Sequence, residues 1–192
     1  MERIHSWKQF IIIEMSEDKT LIKWQIANYI FVLLTGMLFH FMFEFFGENI
    51  YIAFLFPVNE SLWEHMKLFY LPMVIFLVIE YIKIGKKYSS FLWAKVFSIV
   101  FSSVAAISIY MFFYSIFGEV PIFSIISFIV PLSISIYIET KIILKIKISR
   151  NKYIIPTIII FGIGILFVVF TYFPPEQYLF VDFYTEQYGI IN

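Results

Sequence analysis

The sequence predicts an all-α fold, a polytopic transmembrane helix bundle of about five spans, and three observations carry that prediction. The chain is 61% apolar, 22% aromatic and only 15% charged, whereas soluble domains carry roughly a quarter charged residues. Five stretches reach the length of about 20 mostly apolar residues needed to cross a hydrocarbon core of roughly 30 Å. The segments between them are short and none has the composition of a linker, so residues 1–192 read as a single integral membrane domain without internal repeats.

The opening stretch, "MERIHSWKQFIIIEMSEDK", lacks the basic region, short apolar core and small-residue cleavage site of a signal peptide. Ile4, Trp7, Phe10, Ile11 and Met15 recur at helical spacing, with Arg3, Lys8, Gln9 and Glu17 mostly elsewhere around the wheel. That pattern predicts an N-terminal interfacial helix lying on the membrane surface. The spans follow at about residues 24–46, 62–83, 91–117, 121–140 and 153–173. Between the first two, "NIYIAFLF" (Asn49 to Phe56) is too short to cross and ends at Pro57, which predicts a short re-entrant or interfacial segment and leaves six spans as the alternative count. Pro72 and Pro131 fall inside spans, where each removes a backbone donor. Pro174 and Pro175 end the last span. The tail 174–192 is too rich in Tyr, Phe and Leu to hang free, and folding back over the bundle as a lid would bring Asp182 or Glu176 to its mouth; the alternative is an aromatic segment resting on the bilayer interface.

Every Lys and Arg except Lys67 lies before the first span, around the second connection or in the fourth, the last group including Arg150 and Lys152. Basic residues in short loops stay on the cytoplasmic side, so the expected placement is a bacterial cytoplasmic membrane with the N-terminus inside and the C-terminus outside. The absence of cysteine excludes disulfides and thiolate chemistry. Phosphate-binding loops, nucleophile elbows and dinucleotide fingerprints are also missing, and the basic residues are accounted for by orientation, so no nucleic-acid partner is expected. The partners expected are the lipid bilayer and a second copy or another membrane protein.

One region breaks the oily pattern. "FPVNESLWEHMK" (Phe56 to Lys67) carries Asn59, Glu60, Ser61, Trp63, Glu64, His65 and Lys67, and "GMLFHFMFEFFG" in the first span places His40 and Glu44 four residues apart on one helical face. In a span ending at residue 46, His40 would lie about 9 Å below the outer surface. The link from Gly47 to Phe56 is short, so the first two spans are antiparallel neighbours and two imidazoles and three carboxylates converge. Part of this has a plain structural explanation: Asn59 or Ser61 can cap the second span, Glu64 completes an S-x-x-E box with Ser61, and Glu64 can pair with Lys67.

Four chemistries fit what remains: a zinc, manganese or iron site, a proton relay, a cationic-headgroup site, and a polar network that only locks helices together. The leading reading is a metal-dependent enzyme acting on a lipid or envelope substrate, with His40, Glu44 and His65 as ligands and Glu60 or Glu64 as the general base for a bound water. Asn59, Ser61, Trp63, Lys67 and Asp182 would face the substrate or belong to the lid. The rival is a small transporter or a substrate- or cation-binding membrane subunit using the same residues for proton or cation coupling, and transport predicts a polar route past Pro72 toward Glu80. Glu80 and Glu139 themselves are expected to pair at the interface with Lys83 and Lys141. Ser98, Ser102, Ser103, Ser108, Ser124, Ser127, Ser133 and Ser135 are expected at helix contacts.

"LFHFMFEFFG", "FPVNESLWEHMKL", "IEYIKIGKKYSSFLWAK" and "FTYFPPEQYLFVDFYTEQYGI" resemble, in order and spacing, an uncharacterised family of small membrane proteins of Gram-positive bacteria, a domain of unknown function. The resemblance spans nearly the whole chain and implies that His40, Glu44, Asn59 to Ser61, Trp63 to His65, Lys67, Pro174, Pro175, Asp182, Thr185, Tyr188 and Gly189 belong to the family pattern. It implies no activity.

Overall fold

In the computed structural model the backbone is described for residues 2–149 and 153–190, with side chains from Lys19 onward. The chain is all-α: α1 (Glu2–Phe39), a single turn α2 (Met42–Phe45), α3 (Leu62–Lys83), α4 (Phe91–Phe117), α5 (Pro121–Lys145) and α6 (Ile154–Tyr172). Five segments are long and apolar enough to cross a membrane: Lys19–Phe39 of α1, and α3, α4, α5 and α6. This is a polytopic membrane protein, and its helices imply a lipid bilayer around it.

The start of the chain departs from the sequence reading. No separate interfacial helix precedes the first span; α1 is one element of 38 residues, about 57 Å long. The apolar face expected from Ile4 to Met15 lies outside the described side chains, and Arg150 and Lys152 lie outside the described residues. The first span also stops at Phe39 and not near 46. Phe41 N–H bonds to Leu38 O at 3.1 Å, a tightened last turn, and the chain re-forms a helix only from Met42. His40 therefore sits just past a helix end, not a turn and a half inside one. At the other end of the bundle α5 runs to Lys145, beyond the expected 140, because its apolar residues continue through Ile142 and Ile143.

Helix packing follows from small and regularly spaced residues, as expected where lipid competes equally for apolar surface. The buried stripe of α1 is Leu21, Gln25, Asn28, Val32 and Gly36, and His40 is the next position in that series. At Gly36 a Cβ would lie 2.6 Å from Phe128 Cζ and 2.8 Å from Leu68 O, so glycine permits α1 to touch α3 one turn before His40. Ser102, Ser103 and Ala106 of α4, with Ser127, Pro131 and Ser135 of α5, are buried and small, whereas Ser108 and Ser124 of the expected set are exposed, and Ser133, also exposed, reaches Tyr29 of α1 at 3.2 Å. The hydroxyls of Ser102, Ser103, Ser127 and Ser135 bond to carbonyls three or four residues back and so cost no partner across the interface. The middle of the bundle is apolar, built from Val32, Phe69, Tyr70, Met73, Ile99, Leu132, Ile136 and Phe167.

Polar groups gather at the two ends of this core. One end, called the site end here, carries the α1–α3 connection and the tail; the other carries the lysine-rich connections.

Candidate functional site

Ser61 is the N-cap of α3, its Oγ accepting from Glu64 N at 3.3 Å. The box is not reciprocal: Asn59 Oδ1 takes the Ser61 N–H at 2.9 Å, and Glu64 reaches back past Ser61 to accept from Val58 N at 3.0 Å. These bonds fix the path of Val58 to Ser61 and aim Glu60 over the helix end.

Glu60 meets both histidines there. His65 Nε2 lies 3.3 Å from Glu60 Oε2 and His40 Nε2 lies 3.9 Å from Glu60 Oε1. The rings of His40 and His65 are 5.3 Å apart. One ligand-type atom from each of His40, Glu60 and His65 falls within 4.8 Å of the others, making them the three-residue group suited to a metal among the described residues. All three are partly exposed, 31%, 40% and 35% by side chain.

The tautomer of His65 can be assigned from its neighbours. Its Nδ1 is 2.9 Å from Ser61 O; a carbonyl only accepts, so Nδ1 carries hydrogen. Nε2 is then free to hold either a cation or a second proton against Glu60. A histidine fixed through Nδ1–H to a carbonyl is the usual support of a metal ligand. Burial, then the nearby His65, lowers the basicity of His40, which favours the neutral, ligating ring near pH 7. Burial alone would raise the Glu60 carboxyl, but the hydrogen bond and charge of His65, followed by His40, hold it below the ordinary carboxylate range.

The tail completes the surround. Asp182, 3% exposed, accepts from Glu60 N at 2.7 Å through Oδ2, while Oδ1 takes Thr185 N at 2.7 Å, Thr185 Oγ1 at 2.9 Å and Tyr184 N at 2.9 Å. Burial pushes its carboxyl up, but those four donors hold it below the ordinary carboxylate range. Asn59 Nδ2 donates to Gly189 O at 2.7 Å. Gly189 has φ +70°, and a Cβ there would approach Pro174 to 3.0 Å, so the return of the tail depends on glycine. Trp63 packs between Phe167 and Phe170 of α6 and Phe180 of the tail, and Phe183 reaches Tyr110 and Tyr114 of α4. Tyr184 hydrogen-bonds Glu119 in the α4–α5 connection. The tail is thus a strap from α6 across α3 to α4; Glu176 is exposed and takes no part.

Several expected site residues stand elsewhere. Glu44 is exposed and outside the three-residue group; the break after Phe39 removes the helical register that would have set it above His40, leaving only its charge to act on that ring. Glu64 is buried and fully engaged, with Oε2 2.6 Å from Lys67 Nζ and Oε1 3.1 Å from Thr171 Oγ1, so it has no free oxygen to activate a water. Lys67 is 2% exposed and donates to Ala53 O and Phe56 O at 3.2 Å each, pinning the Asn49 to Phe56 segment. That segment contains a 3-10 turn, Ile50–Ile52, and packs Ala53 and Phe56 against Phe43. A groove of about 360 Å³ between α3 and α6, lined by Phe54, Leu55, Tyr70, Gly164 and Phe167, reaches Lys67. It opens on the face of α3 opposite His65, because two residues turn a helix by about 200°.

A model for a family of unknown function, DUF6512, matches residues 13–190. The chain belongs to that family. No curated protein and no solved structure matches it. In this DUF6512 protein three of the four segments that carried the sequence resemblance, around His40, Asn59 to Lys67 and Pro174 to Gly189, meet at the site end, and the fourth, residues 79–95, lies at the lysine-rich end.

Sequence reasoning overlooked a second polar centre at the lysine-rich end. Glu80 and Glu139 do not pair with Lys83 and Lys141 at the interface; both are buried, each 2.6 Å from Lys95 Nζ. Gln25 Nε2 donates to Glu80 Oε1 at 3.0 Å and to Glu139 Oε1 at 2.9 Å. The signal was present in the spacing: Glu80 continues the buried series Phe69, Met73, Phe76 on α3, and Gln25 falls between Leu21 and Val32 on α1.

Proposed function

We propose that this protein is a membrane-embedded, divalent-metal-dependent enzyme whose centre is His40, Glu60 and His65, facing the outside of a bacterial cytoplasmic membrane and acting on a lipid headgroup or envelope substrate. The observation that carries the proposal is the convergence of two imidazole nitrogens and a carboxylate within 4.8 Å, with the Nδ1 of His65 already committed to Ser61 O. Two histidines and one carboxylate are a ligand set of catalytic zinc, which keeps a fourth position for water, and also suit manganese or iron.

The metal would supply an acidified water or a polarised substrate oxygen. The residues of the chain divide the remaining work. Ser61 O orients His65, Asp182 holds the Glu60 backbone in place, and the tail strap limits access from the outer surface. The fold-back expected of the tail gives it the position of a lid. With Glu64 tied to Lys67 and Glu60 among the ligands, the other carboxylates near the group among the described residues are Asp182, engaged by four donors, and the exposed Glu44, whose charge reaches His40.

Catalysis is favoured over transport by what lies beneath. A route from His65 past Pro72 to Glu80 would pass Phe69, Tyr70 and Met73, which are buried in the apolar middle of the bundle with Val32, Ile99 and Leu132. Cobalt(II) loading tests the proposal: a His/His/Glu site of low coordination number gives visible ligand-field absorption absent from His40→Ala, His65→Ala and Glu60→Ala. Absorption no stronger than that of protein-free detergent would refute it.

A further inference from the structure

The buried centre at the lysine-rich end has an unbalanced charge. Four helices contribute to it: α1 brings Gln25 and Asn28, α3 Glu80, α4 Lys95 and Ser98, and α5 Glu139. Lys95 is 1% exposed and Glu80 and Glu139 are 0% exposed. The other buried charged side chains among the described residues, Glu64, Lys67 and Asp182, lie at the site end. Two carboxylates therefore share one ammonium, and the ring of Phe91, centred 5.3 Å from Lys95 Nζ, covers that ammonium further.

A net negative charge in the interior of a membrane bundle is strongly disfavoured unless a cation joins it. The oxygens show where one would bind. Glu80 uses Oε1 for Gln25 and Oε2 for Lys95, and Glu139 uses Oε1 for both partners. Glu139 Oε2 is left with no partner among the described residues. Beside it in the sequence pattern stand further unsatisfied groups: Gln25 Oε1, both amide atoms of Asn28, and Ser98 Oγ. Asn28 is one helical turn from Gln25 and Ser98 one turn from Lys95, both toward the site end. Buried polar atoms left unpaired in this number mark a place for bound protons or water.

We propose that Glu80, Glu139 and Lys95 form a proton-binding site, in which one proton is shared by the two carboxylates. The ion taken up is a proton and not a metal cation, because the ammonium of Lys95 lies 2.6 Å from both carboxylates and repels a second fixed charge. Protonation leaves one carboxylate and one ammonium, a balanced pair, and Glu139 Oε2 is an oxygen with no hydrogen-bond partner in its way among the described residues. Because α1, α3, α4 and α5 all meet here, loss of that proton acts on the packing of four spans at once. The site is separate from the His40, Glu60, His65 group and does not depend on its metal.

Infrared spectroscopy of the full-length protein in lipid nanodiscs tests the assignment. At neutral pH the wild type should show the carbonyl stretch of a protonated carboxylic acid, shifted in deuterium oxide. Glu139→Gln and Glu80→Gln should each abolish it, since either change leaves one carboxylate opposite one ammonium. Glu139→Gln copies the neutral acid in shape and should keep the wild-type melting temperature, and the wild-type band itself needs no variant to fold. A wild type with no such band, a band that survives both substitutions, or one removed by sodium chloride at constant pH would overturn the proposal.

Discussion

Replacing Lys67 by methionine should destabilise the site end by more than any surface ion pair could. The ammonium lies 2.6 Å from Glu64 Oε2 and 3.2 Å from Ala53 O and Phe56 O, and the two side chains are 2% and 3% exposed. Removing one partner of a buried pair costs about 3–5 kcal/mol, because the other charge stays buried. The two carbonyls lose a donor as well, and that loss overlaps with the same range. Lys67→Met should therefore cost about 3–5 kcal/mol. Adding Glu64→Gln removes the stranded charge and should recover at least about 1 kcal/mol, the coupling expected of direct neighbours. Equilibrium unfolding in mixed micelles, followed by tryptophan fluorescence, measures both, with Trp63 reporting from between α6 and the tail. A loss below about 1 kcal/mol, the range of exposed pairs, would refute the view that Lys67 is the structural anchor of the Asn49 to Phe56 segment.

Gly36→Leu should push α1 off α3, since even a Cβ meets Phe128 and the Leu68 carbonyl below 3.0 Å; a loss of about 1–3 kcal/mol and weaker metal uptake at His40 are expected, by unfolding and titration. Asp182→Ala removes the acceptor of four donors and should free the tail, read as faster proteolytic cleavage after Pro175. The same contact sets a pH window: Asp182 has its folded pKa below its unfolded value of about 3.9, so its stabilisation is present above that pH and lost as pH falls through the folded value. Pepsin cleavage of the tail should accordingly rise on acidification in the wild type and be already high in Asp182→Ala. The hydrogen bond to Glu119 pushes Tyr184 up to about 12; its contribution is present below pH 10 and lost as pH rises through about 12. Tyr184→Phe should delete a tyrosine titrating at about 12 from the ultraviolet titration.

The helices were readable because length and apolarity alone define a span: α3 and α4 begin and end at the expected residues. The end of α1 was not, since Phe41 to Phe46 is as apolar as the span it follows and hydropathy cannot register a backbone break there. At the site, the pairing of His65 and Glu60 with His40 followed from chain proximity, and the approach of Asp182 from the apolar tail. The misassignment of Glu44 came from extending helical register through that break. Glu64 and Lys67 carry side chains that look catalytic in a sequence, but three partners each consume them. Lys95 reads from the sequence as one of the basic residues around the second connection because it stands at the start of α4, where only the meeting of four helices shows what it faces.

Whether His40, Glu60 and His65 hold a metal is read from the metal content of the detergent-purified protein by mass spectrometry, alongside His40→Ala and His65→Ala prepared identically. Near-stoichiometric zinc, manganese or iron in the wild type and its loss in both variants is the predicted result. A wild type without metal, even after reloading, or variants that retain it, would contradict the account.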